Sequence, residues 1–195
     1  MLVVAIILGV IYGARGSGTP DPTPTDNAST PAPTGTGVDA CLGGPDLTAE
    51  QLFTAQQDAA HTPEGAVSYA ASFARYVLQI PAPADADQAA SWSGLSSEWW
   101  SRWADSASTW SGPNPLSVTT INGTYRVQSY TPDEAIITME LPWVIDGAVS
   151  SSKTFVPTVT VRWMVAGNWS VVELDSSAAD DPATLTDSTE FTGGC

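Results

Sequence analysis

Few residues in this sequence have side chains that could do chemistry. The chain of 195 residues has one histidine, His61, and two cysteines, Cys41 and Cys195. Acid–base catalysis needs a titratable group held in a cleft with a shifted pKa, and a zinc site needs clustered cysteine and histidine ligands. His61 stands alone at the start of a predicted helix, and the cysteines lie far apart. We therefore predict that the protein is not an enzyme and holds neither a metal nor a cofactor.

The two cysteines are predicted to form a disulfide. An even number of cysteines in a chain that begins with an apolar segment is typical of proteins outside the cytoplasm, where disulfides persist. A Cys41–Cys195 bond would tie the end of the acidic tail to the start of the folded part, and a pair of glycines lies beside each cysteine. Two free thiols and intermolecular disulfides are the alternatives. Lipidation of Cys41 is not expected, because a long spacer separates it from the apolar segment.

The charge balance argues against one class of partner. Six basic residues against 21 acidic residues give a formal net charge of -15. Proteins that bind nucleic acid owe most of their affinity to basic side chains that neutralise phosphates, so no nucleic-acid partner is expected. An anionic membrane surface is equally unattractive to the folded part. Solubility is the simplest role of this acidity.

Residues 1–16, MLVVAIILGVIYGARG, form a largely apolar segment. The apolar run is shorter than the ~20 residues that a membrane-spanning helix needs, and no basic cluster precedes it. Three interpretations stay open: the outer half of a membrane helix whose other half is encoded upstream of Met1, a cleaved signal segment, or a weak anchor. All three place the rest of the chain outside the cytoplasm, at the cell membrane.

Residues 17–40 are predicted to be a disordered linker. Proline, threonine, glycine and aspartate dominate SGTPDPTPTDNASTPAPTGTGV, which has no aromatic residue to bury. Prolines keep such a segment extended, so it acts as a spacer. The folded domain is assigned to residues 41–175, and an acidic tail, tied back by Cys195, to residues 176–195.

Three helices are predicted at the start of the folded domain. Thr48 and Gln51 form a capping-box pattern before the first helix, and Thr62 followed by Pro63 is a start signal for the second. The third is predicted within SWSGLSSEWWSRWADSASTW. Its large apolar side chains fall on one face at helical spacing: Trp92, Leu95, Trp99 and Trp103.

The rest of the domain alternates apolar and polar residues, which predicts strands. The four segments are INGTYRVQSY, DEAIITMELPWVID, KTFVPTVTVRWMVA and WSVVELD. Two of them place these residues on their core face: Ala135, Ile137, Met139, Leu141, Trp143 and Ile145, and Phe155, Val159, Val161, Trp163 and Val165. Helices followed by a run of strands predict an α+β fold, with the helices packed on one face of an antiparallel sheet.

Turn and breaker residues refine this expectation. Gly167 and Asn168 are predicted to form a two-residue hairpin loop, with glycine at the first central position. Pro142 and Pro157 cannot donate to a ladder, so each is expected to mark a sheet edge or a bulge.

The segment INGTYRVQSYTPDEAIITMELPW…TVTVRWMVAGNWSVVELD, preceded by helices, resembles the nuclear transport factor 2-like (cystatin-like) fold. The resemblance covers about Leu47 to Leu174 and is best in the hairpin VTVRWMVAGNWSVVEL. It implies a curved sheet with a conical pocket, which enzymes of this fold line with a histidine, aspartate or tyrosine base. Together with the apolar segment and spacer, the layout is similar to VirB-type scaffold subunits of type IV secretion and conjugation channels, which implies an envelope scaffold.

Eight tryptophans provide the candidate contact residues. Trp99, Trp103, Trp143 and Trp163 fit the inner faces of the predicted helix and sheet, where tryptophan packs well. Trp100 lies roughly 100° around the helix from Trp99, so it cannot share the same narrow stripe. Because tryptophan is favoured at interface hot spots, Trp100, Trp143 and Trp163 are the candidate interaction or pocket residues.

These observations together predict a membrane-associated, extracytoplasmic and non-catalytic assembly subunit of an envelope complex. Conjugation or type IV secretion is the expected setting, and its partners would be other envelope or channel proteins, with self-association as a further option. The alternatives are a small-ligand-binding or enzymatic pocket protein of the same fold, and a secreted interaction domain. A pocket filled by Met139, Trp143 and Trp163 would disfavour a ligand.

Overall fold

A computed structural model describes residues 37–45, 47–109, 112, 114–179 and 185–195. The predicted apolar segment 1–16 lies outside the described residues, and so does the predicted linker apart from residues 37–40. Within the described ranges, no helix combines the length and apolar character that crossing a membrane requires.

The described part of the chain begins with four helices: α1 (Ala49–Asp58), α2 (Pro63–Val77), α3 (Ala86–Trp92) and α4 (Ser97–Ser108). The first two begin where the sequence predicts. Gln51 N donates to the Thr48 hydroxyl and Thr48 N donates to Gln51 Oε1, which completes the capping box. The Thr62 hydroxyl caps α2 by accepting a hydrogen bond from the backbone of Gly65.

The predicted third helix is wrong as a single element, because the segment forms the end of α3, a break and then α4. Gly94 lies in the break, and its backbone N–H donates to Val171 O of the sheet at 2.9 Å. A Cβ at this position would lie 2.9 Å from the Val172 side chain and 3.0 Å from Val171 O. Glycine therefore allows the chain to approach the sheet closely and leave the helix.

This break separates the predicted aromatic stripe. Trp92 ends α3, Leu95 lies in the connection, and the Ser96 hydroxyl starts α4 by accepting a hydrogen bond from Trp99 N. Trp99 and Trp103 stay on one face of α4, with nearly parallel rings whose centroids are 6.4 Å apart. Of the four residues in the predicted stripe, only Trp99 and Trp103 therefore lie on one face of the same helix.

Six strands form one curved antiparallel sheet in the described residues: β1 (Leu116–Val118), β2 (Thr124–Tyr130), β3 (Glu134–Ile145), β4 (Ala148–Trp163), β5 (Trp169–Ala179) and β6 (Thr189–Glu190). Neighbours follow the order β5–β4–β3–β2–β6, and β1 pairs with the far end of β3. Helix α2 lies against β2, β3, β4 and β5, and α1 packs on α2, α3 and β5. The predicted α+β class, with helices on one face of the sheet, is confirmed.

A single hydrophobic core lies between the helices and the sheet. The alternation predicted for β3 is confirmed, since its core-face residues from Ala135 to Leu141 have no exposed surface. Large side chains of α2 and the sheet fill the centre of this layer: Tyr69, Phe73, Tyr76, Ile137, Met139, Phe155 and Trp169. Packing of this kind supplies most of the favourable energy of folding.

The β3–β4 connection is a tight two-residue turn. Asp146 and Gly147 both have positive φ, 54° and 74°, as a type I′ turn requires. This turn was not predicted, although Asp-Gly between two alternating segments is a strong hairpin signal.

The two-residue loop predicted at Gly167 and Asn168 is wrong. Met164 N donates to Asn168 O at 2.8 Å, and Gly167 N donates to Met164 O at 2.9 Å. The loop therefore has three residues, Val165 to Gly167, with Gly167 last at a φ of 82°. This is the common three-residue hairpin in which glycine takes the left-handed position. Val165 consequently lies at the turn, fully exposed, and not on the core face.

Pro142 and Pro157 do not mark sheet edges, because β3 and β4 each have neighbours on both sides. A bulge, the predicted alternative, is present at Pro142, where the β3–β4 register shifts before Val144. At Pro157 the prediction is wrong, because Pro157 pairs with Ser176 of β5 and the β3–β4 register is the same at Phe155 and Thr158. No β3 residue is paired with Pro157 itself, as expected for a residue that has no N–H to donate.

The predicted disulfide is confirmed. Cys41 and Cys195 are bonded, with their Cα atoms 5.3 Å apart at a sequence separation of 154. The segments that the bond joins also pair, since Thr192 N donates to Val38 O at 2.9 Å. Cys195 also contacts the β1–β2 connection, where Thr120 N donates to Cys195 O at 3.1 Å. We call residues 37–45 the arm and residues 189–195 the strap. The arm, the strap and the disulfide that joins them are together called the clasp.

Two contacts explain why the clasp fits its surroundings. A Cβ on Gly194 would lie 2.7 Å from Ile121 N, so only glycine lets the strap approach the β1–β2 connection. The guanidinium of Arg75, on α2, donates to the carbonyls of Ala40, Gly44 and Pro45 at 2.7–3.3 Å. The arm is thus fixed to the helical layer as well as to the strap.

Candidate functional site

The most exposed apolar surface among the described residues lies at the β4–β5 turn. Val165 is fully exposed, and Met164 is 40% exposed. Trp163 precedes them and is partly buried. We call these three residues the 163–165 tip. Contiguous exposed apolar side chains on a soluble domain are typical of interaction sites.

Backbone hydrogen bonds hold the tip in place. Trp163 N donates to Asp133 O at 2.8 Å, and Trp163 pairs with Trp169 across the hairpin. The tight turn then fixes Met164 opposite Asn168. The exposed side chains consequently project from a defined hairpin end.

His61 supports the tip from the helical side. Its ring stacks on the Trp163 indole, with centroids 3.9 Å apart and planes within 5° of parallel. His61 Nε2 is hydrogen-bonded to Pro132 O, and the ring also meets the edge of Trp169. The single histidine therefore acts as a packing residue between α2 and the sheet. None of these contacts pairs it with a carboxylate as a catalytic dyad would.

Trp169 forms the buried base of this aromatic cluster. It has no exposed surface, its Nε1 donates to Ala60 O at 2.8 Å, and its ring lies 5.2 Å from that of Trp163 at a steep angle. The Tyr130 ring lies 6.4 Å from the Trp169 ring on another side. Such tilted aromatic contacts add stability beyond the burial of area alone.

Acidic residues lie near the base of the tip. Asp133 is in the turn whose backbone accepts from Trp163 N, and Glu134 forms an ion pair of 2.7 Å with Arg162, which neutralises both charges. Burial raises the pKa of Tyr130, and the nearby Glu64 carboxylate raises it further. Glu64 and Asp133 are therefore the acidic residues that contribute negative charge near the aromatic cluster.

The structure does not bring the three candidate tryptophans together. Trp100 is only 7% exposed, and its Nε1 donates to the Ser93 hydroxyl at 2.8 Å. Trp143 is buried against Phe155 and pairs with Val118, at the opposite end of β3 from the tip. Trp143 lies eight positions along β3 from Ala135, which pairs with Val161, a distance of about 26 Å at the usual rise of a strand.

An open groove of about 400 Å³ lies between the arm and the start of α2. Asp39, Asp58 and Glu64 line it together with Leu42 and Ser68. Among the residues that the structure describes, no group of three or more histidine, cysteine, aspartate or glutamate side chains is arranged to hold a metal ion. The groove therefore offers negative charge without a coordination shell.

Titratable groups inside the core serve packing. Burial raises the pKa of Tyr69 well above its ordinary value, and Gln56 donates to its hydroxyl at 3.2 Å. Burial likewise raises the pKa of Tyr76, which is hydrogen-bonded to the carboxylate of Asp85. Both phenols stay protonated over the physiological range, so neither is suited to act as a general base.

The sequence indicated Trp163 as a contact candidate but not the residues that extend it. The alternation of the strand predicts Val165 on the core face. Gly167 indicates a turn, but only the length of the loop decides whether the Val165 side chain points to the core or to solvent. No protein-family model, curated protein or solved structure matches this chain.

Proposed function

We propose that this chain is a membrane-associated, extracytoplasmic and non-catalytic assembly subunit of an envelope complex. The resemblance of its strand pattern and layout to VirB-type scaffold subunits makes conjugation or type IV secretion the most plausible setting. In this role the domain contributes a rigid surface to a larger assembly, and the N-terminal apolar segment and linker attach it to the membrane.

The observation that carries the proposal is an exposed apolar tip on a domain whose interior is filled. Met139 has no exposed surface, and Trp143 is buried against Phe155. A small-ligand site needs a concave pocket lined by a few polar groups. Met139 and Trp143 instead fill the layer between the helices and the sheet, whereas Trp163 lies at the tip. This packing disfavours a ligand in that layer, and the open groove of about 400 Å³ between the arm and α2 is the concave surface on which the small-ligand alternative rests.

The disulfide supports the extracytoplasmic part of the proposal. Structural disulfides persist in oxidising compartments and are rare in the cytosol. The Cys41–Cys195 bond joins segments that are also paired by backbone hydrogen bonds, so it reinforces an arrangement that the fold already makes. The oxidation state in cells is open to test by mapping the thiols of freshly trapped protein.

In-cell crosslinking tests the assembly role. A photoreactive amino acid is introduced into the full chain at exposed positions on different faces, such as Gln57 on α1, Val149 on β4 and Val165 at the tip. We expect at least one position to capture a membrane or channel protein of the envelope. If no position captures any envelope protein, the proposal is wrong. Capture only of enzymes that act on small molecules would favour the alternative in which the chain is a small-ligand-binding or enzymatic pocket protein.

A further inference from the structure

We infer that the 163–165 tip inserts into an apolar pocket of a partner protein and that the rim of this pocket is basic. This inference rests on the proposed assembly role, and it names the contact surface and the chemistry of the partner. Four properties of the tip carry it: its apolar side chains, its convex shape, its rigidity and the charge around it.

The apolar side chains give the binding energy. Val165 is fully exposed and Met164 is 40% exposed, and they are consecutive. Removing the exposed apolar surface of valine and methionine from water favours association, against the cost of lost translational and rotational freedom. Trp163 adds a large aromatic surface behind them, and tryptophan is enriched among residues that dominate interfaces. Together these side chains form a compact anchor.

The shape of the tip selects a concave partner surface. Val165 lies in a three-residue turn at the end of β4 and β5, so it projects beyond the strands that carry it. A flat partner would contact Val165 alone and leave Trp163 uncovered. A pocket would cover Val165, Met164 and the exposed part of Trp163 at once.

Rigidity lowers the cost of binding. The turn is closed by hydrogen bonds of 2.8 Å and 2.9 Å, and the Trp163 ring contacts both the His61 and the Trp169 rings, which also contact each other. A side chain that is already held in its bound position loses little conformational entropy on association. The stacking of His61 on Trp163 therefore prepares the tip for binding, without any chemistry on the imidazole.

The charge around the tip defines the rim of the partner pocket. Asp133 lies beside Trp163, since its carbonyl accepts from Trp163 N, and Glu64 is in the first turn of α2, three residues after His61, which stacks on Trp163. Arg162 and Glu134 form an ion pair in which the two charges cancel, so Asp133 and Glu64 carry the negative charge near the tip. Lysine or arginine side chains around the partner pocket would complement this field and accelerate encounter.

The same charge argues against two other occupants. A second copy of this chain, with a formal net charge of -15, would bring one acidic rim against another. An anionic membrane surface would repel the rim in the same way. A basic partner protein is the occupant that both the apolar tip and its surroundings favour.

One pair of substitutions isolates the tip. Val165→Asp adds a charge to the tip, and Val149→Asp makes the same change on β4 at the other end of the sheet, where valine is 40% exposed. Because both valines are exposed, both variants are expected to fold, and unfolding curves check this. A phage-displayed library of a small folded domain with a randomised concave surface is then selected on the oxidised full-length wild-type protein.

We expect the selected domains to combine aromatic or aliphatic residues in the concavity with lysine or arginine at its rim. Their affinity should fall about tenfold or more in Val165→Asp, which corresponds to about 1.4 kcal/mol, and stay within about twofold in Val149→Asp. It should also fall when the salt concentration rises from about 0.05 M to about 0.5 M, because salt screens exposed charges.

Several results would overturn the inference. These are the selection of no concave domain, selection of domains without basic residues at the rim, and binding that Val165→Asp leaves unchanged. Val165-dependent binding to phosphatidylcholine or anionic vesicles would assign the tip to a membrane, and Val165-dependent self-association in light scattering would assign it to a second copy. Capture of an envelope protein only through Gln57 or Val149 would refute this inference while the assembly role stands.

Discussion

Gln56 is a single polar side chain that connects three parts of the core. It lies on α1, almost fully buried, and its Nε2 donates to Trp169 O at 2.7 Å and to Trp92 O and the Tyr69 hydroxyl at 3.2 Å each. Trp169 starts an edge strand, so its carbonyl has no ladder partner on that side. A side-chain donor from a helix therefore takes the place of a neighbouring strand.

Replacing Gln56 by leucine should destabilise the fold. The substitution keeps the approximate volume but leaves the buried carbonyls of Trp169 and Trp92 without this donor, at a cost of about 1–3 kcal/mol. Urea unfolding measures the change in the free energy of unfolding. Gln57→Leu is the matched control, because Gln57 is the next residue of the same helix and is exposed. Equal stabilities for the two variants would contradict the role given to Gln56.

Tyr69 gives the fold an alkaline limit. Burial raises its pKa in the folded state, whereas in the unfolded chain it loses its proton near pH 10. Above that pH the unfolded state binds fewer protons than the folded state, so stability falls as the pH rises. The loss is about 1.4 kcal/mol per pH unit for one tyrosine.

Tyr69→Phe should make the alkaline decline shallower by this amount. Gln56 keeps its two backbone acceptors in the variant, so the stability at pH 7 should change little by comparison. Urea midpoints for both proteins between pH 7 and about pH 11 give the two slopes. Parallel curves would show that Tyr69 does not keep its proton in the folded state.

Secondary-structure elements were predictable where their signals are local. The capping box of Thr48 and Gln51 involves residues one turn apart, and the alternation of β3 from Ala135 onward depends only on neighbouring side chains. The disulfide was predictable because the chain offers only two cysteines. The capping box and the strand alternation are therefore determined by short stretches of sequence.

Elements that depend on distant contacts were not predictable. The break between α3 and α4 occurs where Gly94 donates to Val171, more than seventy positions later. Pro157 lies inside the sheet because strands on both sides accommodate it, which no local pattern shows. Val165 lies in the tip and not on the predicted core face, because one residue of loop length reverses the direction of its side chain.

The strap is an element whose position depends on close backbone contact. Gly194→Ala would place a methyl group 2.7 Å from Ile121 N, so the strap would have to move away from the β1–β2 connection. We expect a loss of about 1–3 kcal/mol in stability, as for other overpacked positions. The equilibrium constant for forming the disulfide in a glutathione buffer should fall by a similar free energy, because the thiols would meet less readily.

Gly147→Ala is the control for this experiment. Gly147 also has a positive φ, 74°, a backbone conformation that disfavours alanine. Nothing lies within 4 Å of an added Cβ there, so the substitution creates no steric contact. Its replacement strains a distant turn without touching the clasp. It should lower the stability while leaving the disulfide equilibrium of the folded protein unchanged, and an equal shift in both variants would refute the specific role of Gly194.

At the scale of the whole molecule, the clasp closes nearly the entire folded chain into a loop. The arm enters the domain beside α2, the strap leaves beside the β1–β2 connection, and the disulfide joins them. Everything between the two cysteines is therefore constrained in the unfolded state as well as in the folded one. In a chain with a formal net charge of -15, this constraint opposes the expansion that mutual repulsion favours.

Removing the bond should consequently act mainly on the unfolded state. For a loop of 154 residues, the chain-entropy model gives a stabilisation of about 5 kcal/mol, and removal of native disulfides typically costs about 2–5 kcal/mol. We expect the Cys41→Ser/Cys195→Ser variant to lose stability in this range. Its urea m-value should rise, because the open unfolded chain exposes more surface than the closed loop.

Reduced wild-type protein separates this entropic effect from any effect of the serines. If the closed loop is the cause, dithiothreitol-treated wild type and the double-serine variant should share the same midpoint and m-value, and both should differ from oxidised wild type. A loss of stability without a change in m-value would place the effect in the folded clasp, where the arm and strap contact each other. Unchanged stability in both would mean that the hydrogen bonds of the arm and strap hold these segments without the disulfide.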